Sequence, residues 1–368
     1  MDIRIRKHAD VLMKYSLNIR EGEQLLIRGD MVTFPLIREC YKVALEMGAM
    51  PQVRITNDEV REILLKHGSD EQIQYIPDDS KLMIETVDVM LMIIGGSNTR
   101  ILTNVDPKKM KLAAQGASEI NRIFFERMGK KELRWCATMY PAEAYAQEAN
   151  MSLTDYEDFM YNACFIEDEE CDPVAKWVEI EKNQEIICKA LNKKKHLRIV
   201  SEDTDLTMSI ENRIWINCSG KVNFPDGEVF TSPVEDSVEG IIRFSFPGIY
   251  GGREIEDIRL VFSKGKVVEA SAAKGEDLLN QLLDTDEGAR YVGEIAVGTN
   301  SNIRKFTRNM LFDEKIGGTV HLAVGRSIPE SLGKNESAIH WDMLCDMRSG
   351  GKIYADGQVI YENGKFLL

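Results

Sequence analysis

The sequence predicts an α/β N-terminal domain with an open, mostly parallel sheet, followed by a strand-rich α+β C-terminal domain. The first observation is length, because 368 residues exceed the usual size of one domain. The second is that helical and strand patterns alternate in the first half, as they do in parallel α/β sheets. The third is that the pattern turns to short strands and tight turns after residue 195. We therefore expect domains at residues 1–195 and 196–368.

The N-terminal elements are predicted from apolar spacing. Residues 87–94 read VDVMLMII, a nearly continuous apolar run that is typical of a parallel strand buried on both faces. A long helix closes the domain, because Trp177, Ile187 and Leu191 share one face at helical spacing. The predicted strands are 24–28, 52–55, 87–94 and 134–140, and the predicted helices are 34–47, 58–67, 108–127 and 174–191.

Local turn signals organise the C-terminal half. Asp356-Gly357 and Asn363-Gly364 are favoured two-residue hairpin loops, and Lys264-Gly265 marks a further turn. They predict antiparallel neighbours rather than the crossovers of the first half.

Composition narrows the class of protein. The longest purely apolar run, residues 89–94, is far shorter than the roughly 18 to 20 residues that cross a bilayer. Residues 1–7 mix both charges and lead into no apolar secretory core, so we expect a cytoplasmic protein with no membrane partner. The 60 acidic residues outnumber the 46 basic ones, for a net charge of −14, and we expect no nucleic-acid partner. The seven cysteines form no C-x-x-C pair and are expected to be reduced.

Two histidines stand out in a segment rich in glycine and carboxylates. If residues 339–343 form a strand, His340 and Asp342 share one face while Ile339, Trp341 and Met343 share the other. The apolar face would anchor the strand in a core and leave an imidazole beside a carboxylate, as a metal chelate requires.

Three further residues follow the same design. His321 alternates with Val320 and Leu322, and its own face carries small neighbours. Glu294 shares its face with the small Ala296, and Glu228 follows the turn Pro225-Asp226-Gly227 at the start of a strand. The ligand atoms of this set would all be nitrogen or oxygen, and most would be carboxylate oxygens. Such a set suits two divalent ions with one carboxylate bridging them.

Each residue also has an ordinary structural interpretation. A strand histidine beside small residues is often a hydrogen-bonded core group, and His340 with Asp342 is compatible with a simple surface ion pair. Glu294 has a possible partner in Arg290, and Glu228 is compatible with a turn residue alone. Separately, Gly95-Gly96 follows the strongest strand, so a nucleotide-binding N-terminal domain is a weaker alternative.

Several segments together resemble the thermophilic metalloprotease family of metallo-aminopeptidases, of the aminopeptidase S and aminopeptidase T type. The similarity extends over most of the chain in the same order. The segments that carry it are RWCATMYPAEAYAQEANMSLTDYEDF (134–159), NFPDGEVFTSP (223–233), DEGARYVGEIAVGTN (286–300), IGGTVHLAVG (316–325) and GKNESAIHWDM (333–343).

The resemblance implies a cytoplasmic exopeptidase that removes N-terminal residues from peptides with a free N-terminus. It implies two divalent ions, zinc or cobalt, with manganese or magnesium as alternatives, and a homodimer whose active sites face an enclosed cavity. The family's metal-binding residues fall on the set that strand alternation had isolated, and we expect Glu294 to be the bridge. That set is Glu228, Glu294, His321, His340 and Asp342.

One position departs from the family pattern. Seven residues after the first metal histidine the family commonly has a tyrosine thought to steady the tetrahedral intermediate, and here the residue is Ile328. Isoleucine donates no hydrogen bond, and loss of one good oxyanion donor costs on the order of 10²-fold in rate. Arg326 and Ser327 are possible substitutes, and a catalytically weakened metal-binding homologue is the alternative function. The general base is unassigned among candidates near these motifs, which are Asp226, Glu235, Glu287 and Glu336.

Overall fold

The chain forms two compact units in the computed structural model, which describes residues 2–166 and 170–368. The first unit extends to Lys176 and also includes Gly220–Phe224. The second comprises Trp177–Ser219 and Pro225–Leu368. Within the described residues, no helix is both long enough and apolar enough to cross a bilayer.

The predicted helices at 34–47, 58–67 and 174–191 are present with bounds within one residue of those positions. In chain order the helices are α1 (Ile3–Val11), α2 (Phe34–Glu46), α3 (Asp58–His67), α4 (Asp70–Gln74), α5 (Asp78–Thr86), α6 (Pro107–Gly116), α7 (Ser118–Gly129), α8 (Glu143–Glu148), α9 (Leu153–Ala163), α10 (Pro173–Leu191), α11 (Glu276–Leu283) and α12 (Met310–Asp313).

The strands are mostly three to seven residues long. In chain order they are β1 (Gln24–Asp30), β2 (Met50–Thr56), β3 (Val89–Ile94), β4 (Arg134–Met139), β5 (His196–Ser201), β6 (Thr204–Ser209), β7 (Ile216–Cys218), β8 (Asn223–Phe224), β9 (Glu228–Thr231), β10 (Glu239–Phe244), β11 (Gly248–Tyr250), β12 (Arg253–Ile255), β13 (Ile258–Ser263), β14 (Lys266–Ser271), β15 (Val292–Gly298), β16 (Thr319–Gly325), β17 (His340–Asp346), β18 (Lys352–Ala355), β19 (Gln358–Glu362) and β20 (Lys365–Phe366).

The first unit is built on a parallel sheet with the strand order β2-β1-β3-β4-β8. Val89, Met90 and Leu91 on the inner strand β3 are all buried, although they point alternately to opposite faces. Strand β3 is therefore covered on both sides, which is why its sequence is continuously apolar. The predicted open, mostly parallel sheet is confirmed.

The single helix predicted for residues 108–127 is wrong, because the chain forms α6 and α7 with Ala117 between them. Gly116 ends α6, where a Cβ atom would lie 2.6 Å from the carbonyl oxygen of Gln74 at the end of α4. The break thus accompanies a close approach of two backbones. The apolar spacing continues across it, so periodicity alone does not reveal it.

Within the described residues, the second unit has three antiparallel sheets, which confirms its strand-rich character. A small sheet pairs β11 with β12. Of the two main sheets, one has the order β14-β13-β10-β6-β5-β18-β19-β20, and the other has the order β17-β16-β15-β9-β7. A single hydrophobic cluster contains residues of both, including Leu206 and Ile242 from the larger sheet and Ile295 and Val320 from the smaller one. The smaller sheet consequently has one face fixed on an apolar core.

The predicted hairpin turns are present. Asp356 and Gly357 join β18 to β19 with φ angles of 49° and 80°, and Asn363 and Gly364 join β19 to β20 with φ angles of 49° and 81°. Two successive residues with positive φ match the right-handed twist of paired strands, which explains the Asp-Gly and Asn-Gly sequences.

Candidate metal centre

Three adjacent strands of the five-stranded antiparallel sheet, β15, β16 and the edge strand β17, position four of the five predicted ligands. Glu294 on β15 pairs in register with Ala323 on β16, and Ala323 pairs with Asp342 on β17. His321 lies two residues before Ala323 and therefore on the same face of the sheet, opposite Ala296. The alanines alternate with the ligands, so larger side chains do not fill the space between the imidazole and the carboxylates.

A bulge sets the direction of Glu294. Val292 pairs with Val324 and Glu294 with Ala323, so Gly293 is an extra residue in β15. A Cβ atom at Gly293 would lie 2.4 Å from the carbonyl oxygen of Arg326. Only glycine allows β15 to approach the chain beyond β16 this closely.

The turn before β9 positions Glu228. Gly227 has a φ of 125°, and a Cβ atom there would lie 2.8 Å from Cβ of Asn300. The side-chain amide of Asn300 donates a hydrogen bond to the carbonyl oxygen of Asp226 at 2.8 Å, and the Thr299 amide donates to Gly227 at 2.8 Å. These bonds fix the turn against the end of β15, so Glu228 enters the sheet beside the other ligands.

Glu228, Glu294 and His321 form the first group. The Nε2 atom of His321 lies 3.3 Å from Oε2 of Glu228 and 3.3 Å from Oε1 of Glu294. The three side chains are almost completely buried, and their ligand atoms lie within 4.8 Å of one another. Oε2 of Glu228 and Nδ1 of His321 have no hydrogen-bond partner.

Glu294, His340 and Asp342 form the second group. The Nε2 atom of His340 lies 3.5 Å from Oε2 of Glu294 and 3.6 Å from Oδ1 of Asp342. Nδ1 of His340 lies 2.7 Å from the carbonyl oxygen of Arg326, which can only accept, so Nδ1 carries the proton. Nε2 is therefore the ring nitrogen that faces the two carboxylates. Glu294 belongs to both groups through different oxygens.

The electrostatics of these groups favour a cation between them. Burial raises the pKa of Glu294 although His321 acts in the opposite direction. Burial lowers the pKa of His321, but the surrounding carboxylates outweigh it and the net shift is upward. The pKa of His340 is also raised, because Asp342 and Glu294 outweigh the effect of burial. The carboxylates thus draw positive charge onto the imidazoles.

Lys315 is a neighbour that sequence reasoning missed. Its side chain is 0% exposed, and its Nζ atom lies 3.5 Å from Oε1 of Glu228 and 4.0 Å from Oδ1 of Asp226. Burial lowers the pKa of Lys315, but Glu228 and Asp226 raise the pKa by a larger amount. The net shift is upward, so the ammonium remains charged. Cys218, Asp226 and Glu228 form a third convergent group beside it. The sequence offered one signal for a buried lysine, which is that Lys315 lies shortly before the buried strand β16.

The helix α10 contributes a second missed residue. Gln184 is 2% exposed, and its Nε2 atom lies 2.8 Å from the carbonyl oxygen of Glu228 and 3.0 Å from that of Cys218. Its Oε1 atom accepts a hydrogen bond from Thr299 at 3.1 Å. This side chain ties the backbones of β7 and β9 to the Thr299 side chain, which directly follows β15.

Several alternative interpretations can now be compared with the geometry. Arg290 pairs with Asp284 at 2.7 Å, so the proposed Glu294–Arg290 pair is wrong. Ser327 is buried, and its Oγ accepts from the Asn335 amide at 3.3 Å. Ile328 is half-buried at the start of a 3₁₀ turn.

The predicted base candidates and the glycine pair also have defined positions. Glu235 binds Arg213 at 2.7 Å, Asp226 lies beside Lys315, and Glu287 and Glu336 are exposed. Gly95-Gly96 is separated from the next helix, which begins at Pro107, so no helix N-terminus follows it directly.

The donor set fits divalent metal ions. Buried polar atoms normally have partners, yet Glu228 Oε2, His321 Nδ1 and Asp342 Oδ1 have none. The converging atoms are imidazole nitrogens and carboxylate oxygens, which zinc, cobalt and manganese all accept. The two groups share Glu294, which offers a different oxygen to each of them.

Comparison with known proteins identifies the family of this chain. It is 29% identical to "Aminopeptidase 2" of Geobacillus stearothermophilus over 92% of this chain and 90% of that protein. It is 26% identical to "Aminopeptidase AmpS" of Bacillus subtilis over 99% of this chain and 98% of that protein. The structure of AmpT from Thermus thermophilus superimposes with a TM-score of 0.86 at 23% identity, covering 100% of this chain and 99% of that one, and so shows the same fold.

The model of one family matches the chain almost from end to end. The match extends over residues 1–366, and the family is described as thermophilic metalloprotease (M29). The resemblance found in the sequence motifs is thereby confirmed, and the chain belongs to the M29 family of metalloproteases.

Proposed function

We propose that this protein is a metal-dependent aminopeptidase that removes the N-terminal residue from peptides with a free N-terminus. Membership of a metalloprotease family makes it a hydrolase, and the relatives reported above are named aminopeptidases. The single observation that carries the proposal is the pair of buried groups that share Glu294. We further propose that the enzyme is a cytoplasmic homodimer.

We propose that the site binds two divalent ions, zinc or cobalt, with manganese or magnesium as alternatives. The proposed ligands are Glu228, Glu294, His321, His340 and Asp342. When bound, such ions supply Lewis acidity toward a peptide carbonyl and acidify water. The residues around them orient the donors. The Arg326 carbonyl holds His340 in the tautomer that offers Nε2, and the alanines of β15 and β16 leave room between the ligand side chains.

The proposed centre also suits a substrate with a free N-terminus. Two divalent ions would more than offset the charge of the three carboxylates that face the imidazoles, so the loaded site would not attract a cation. A deprotonated α-amino group has a lone pair that such an ion could accept, whereas an acetylated nitrogen has none to offer. We therefore expect acetylated peptides to be poor substrates.

The test is hydrolysis of fluorogenic aminoacyl amides by the purified protein. We expect activity that is lost after chelation and regained with cobalt or zinc, and that is lost in His340→Ala. A matched control is His196→Ala, since His196 is an exposed histidine at the start of β5. Wild-type protein that binds no metal, or full activity in His340→Ala, would contradict the proposal.

A second candidate is a metal-binding homologue with weakened catalysis, and the observation that favours it is Ile328. Its hydrocarbon side chain donates no hydrogen bond, and the hydroxyl of Ser327 is buried against Asn335. This candidate predicts normal metal stoichiometry with negligible turnover of every aminoacyl substrate. Substitution Ile328→Tyr would then raise turnover without changing metal content.

A further inference from the structure

Lys315 is one of the largest fully buried side chains in the described structure. It lies in the connection from α12 to β16, and its carbonyl oxygen accepts a hydrogen bond from the Asn300 amide at 3.1 Å. The following residue is held equally closely, because a Cβ atom at Gly298 would lie 2.2 Å from the carbonyl oxygen of Ile316. The backbone therefore fixes the base of the lysine side chain at the end of β15.

The ammonium of Lys315 lies among the carboxylates of the third convergent group. This group consists of Cys218, Asp226 and Glu228, whose ligand atoms lie within 4.8 Å of one another. The Nζ atom contacts Oε1 of Glu228 at 3.5 Å and Oδ1 of Asp226 at 4.0 Å, and it also contacts Oε1 of Glu314. The other two groups bring carboxylates together with imidazoles instead.

We propose that Lys315 is a built-in cation that occupies the position a metal ion would otherwise take in the group of Cys218, Asp226 and Glu228. Buried carboxylates require a compensating positive charge, and here a side chain of the protein supplies it. The ammonium also excludes a divalent ion from the same place by like-charge repulsion. Of the three convergent groups among the described residues, two are then left to accept ions.

The same contact divides the two oxygens of Glu228 between two tasks. Oε1 faces Lys315, whereas Oε2 faces His321 and lacks a hydrogen-bond partner. A carboxylate held at one oxygen cannot rotate freely, so Lys315 keeps Oε2 directed at the first group. The inference rests on the proposed metal centre only because Glu228 belongs both to the first group of that centre and to the third group.

The test is to remove the ammonium and count zinc ions. Full-length wild type and Lys315→Ala are equilibrated with the same free zinc concentration, and bound zinc is measured by elemental analysis. We expect Lys315→Ala to bind one more zinc ion per chain than wild type. We also expect its melting temperature to fall below that of wild type in chelator and to rise more than that of wild type when zinc is added.

Two matched variants sharpen this test. Lys352→Ala removes a half-exposed lysine paired with Glu362 at 2.8 Å, and we expect its zinc content to equal that of wild type. Lys315→Ala/Asp226→Asn removes one carboxylate of the third group together with the ammonium, and we expect no additional ion. If Lys315→Ala does not fold, the double variant should recover folding, because it restores the balance of charge.

The outcomes separate this inference from the proposed function. Equal zinc content in wild type and Lys315→Ala, with two ions in each, overturns the built-in cation and leaves the metal centre intact. A double variant that folds no better than an unfolded single variant also overturns it. Wild-type protein without bound zinc instead overturns the proposed metal centre itself.

Discussion

Glu294 is the residue on which both proposed ion positions depend. Its Oε1 faces His321 and its Oε2 faces His340, each at 3.3 to 3.5 Å. Strand alternation already separated this side chain from the core-facing Ile295 and Val297. The bulge at Gly293, which directs it, had no equivalent signal because a glycine beside a glutamate is common in strands and turns alike.

We predict that Glu294→Gln weakens metal binding at both positions, whereas Asp342→Asn weakens it at one. Loss of an outer contact alone costs roughly 10- to 100-fold in metal affinity, so loss of a shared ligand should cost more than about 100-fold. Elemental analysis at a zinc concentration that saturates wild type should find no ion in Glu294→Gln and one in Asp342→Asn. Two tightly bound ions in Glu294→Gln would refute the shared role.

Asp313 offers a separate prediction about pH. It is fully buried at the end of α12, where burial raises its pKa to about 7 although the amide and hydroxyl of Thr307 donate hydrogen bonds to it. Its unfolded-state pKa is about 3.8, so between pH 4 and 7 the folded protein holds a proton that the unfolded chain has lost. Its contribution to stability therefore falls as pH rises through this window.

The measurement is the free energy of unfolding of wild type and Asp313→Asn from pH 4 to pH 8. Asparagine keeps one acceptor and cannot ionise. With about 1.4 kcal/mol per pH unit, the stability of wild type relative to the variant should fall by up to about 4 kcal/mol and then level off above pH 7. Parallel pH profiles for the two proteins would contradict the buried acid.

At the scale of elements, the centre depends on four adjacent strands, β17, β16, β15 and β9, and on a helix behind them. Register places Ala323 between Glu294 and Asp342, and Gln184 of α10 binds the backbone of Glu228 from the other side. The helix was predictable from its apolar face. The function of its polar residue was not, because Gln184 precedes Glu185 and Ile186 in an unremarkable helical sequence.

We predict that Gln184→Ala destabilises the second unit by about 1 to 3 kcal/mol. The substitution removes a donor from the carbonyl oxygens of Glu228 and Cys218, although the latter still accepts from the Gly227 amide at 3.2 Å. A buried group that loses its partner costs about that much. Urea unfolding measures the loss. Glu185→Ala on the same helix removes only an exposed pair with Lys189 and should stay within about 0.5 kcal/mol of wild type.

At the scale of the whole molecule, metal binding should be linked to stability. The proposed ligands come from β9, β15, β16 and β17, so an ion bound to the native state connects strands that separate on unfolding. The domain boundary at residue 195 stays a prediction. The compact units of the structure divide between Lys176 and Trp177. Residues 177–195 include Gln184, so a fragment that begins at 196 would lack it.

We predict that chelation lowers the melting temperature and that zinc restores it. A ligand at 100 times its dissociation constant stabilises a one-site protein by about 2.7 kcal/mol, and two sites add to this. Differential scanning calorimetry with chelator and with zinc measures the shift. The shift should be absent in Glu294→Gln, and a wild type that melts equally in both conditions would rule out the linkage.

The sequence by itself determined the fold class, the positions of α2, α3 and α10, the first four strands and the five proposed ligands, because alternation and helical spacing are local properties. Asp58–His67 was predicted to the residue, and His340 with Asp342 was separated from Trp341 by period alone. The break between α6 and α7 was missed because the contact that accompanies it, with Gln74, comes from a residue distant in sequence.

Only the tertiary structure decided which residues surround the ligands. The neighbours come from a loop (Lys315), a helix (Gln184) and a strand end (the Arg326 carbonyl), which the sequence separates by up to 142 positions. The Arg326 group is moreover a backbone carbonyl, which every residue possesses. Their roles follow from where the chain folds back on itself. A single sequence gives side-chain type and local direction, whereas charge compensation and hydrogen-bond satisfaction are properties of neighbours in space.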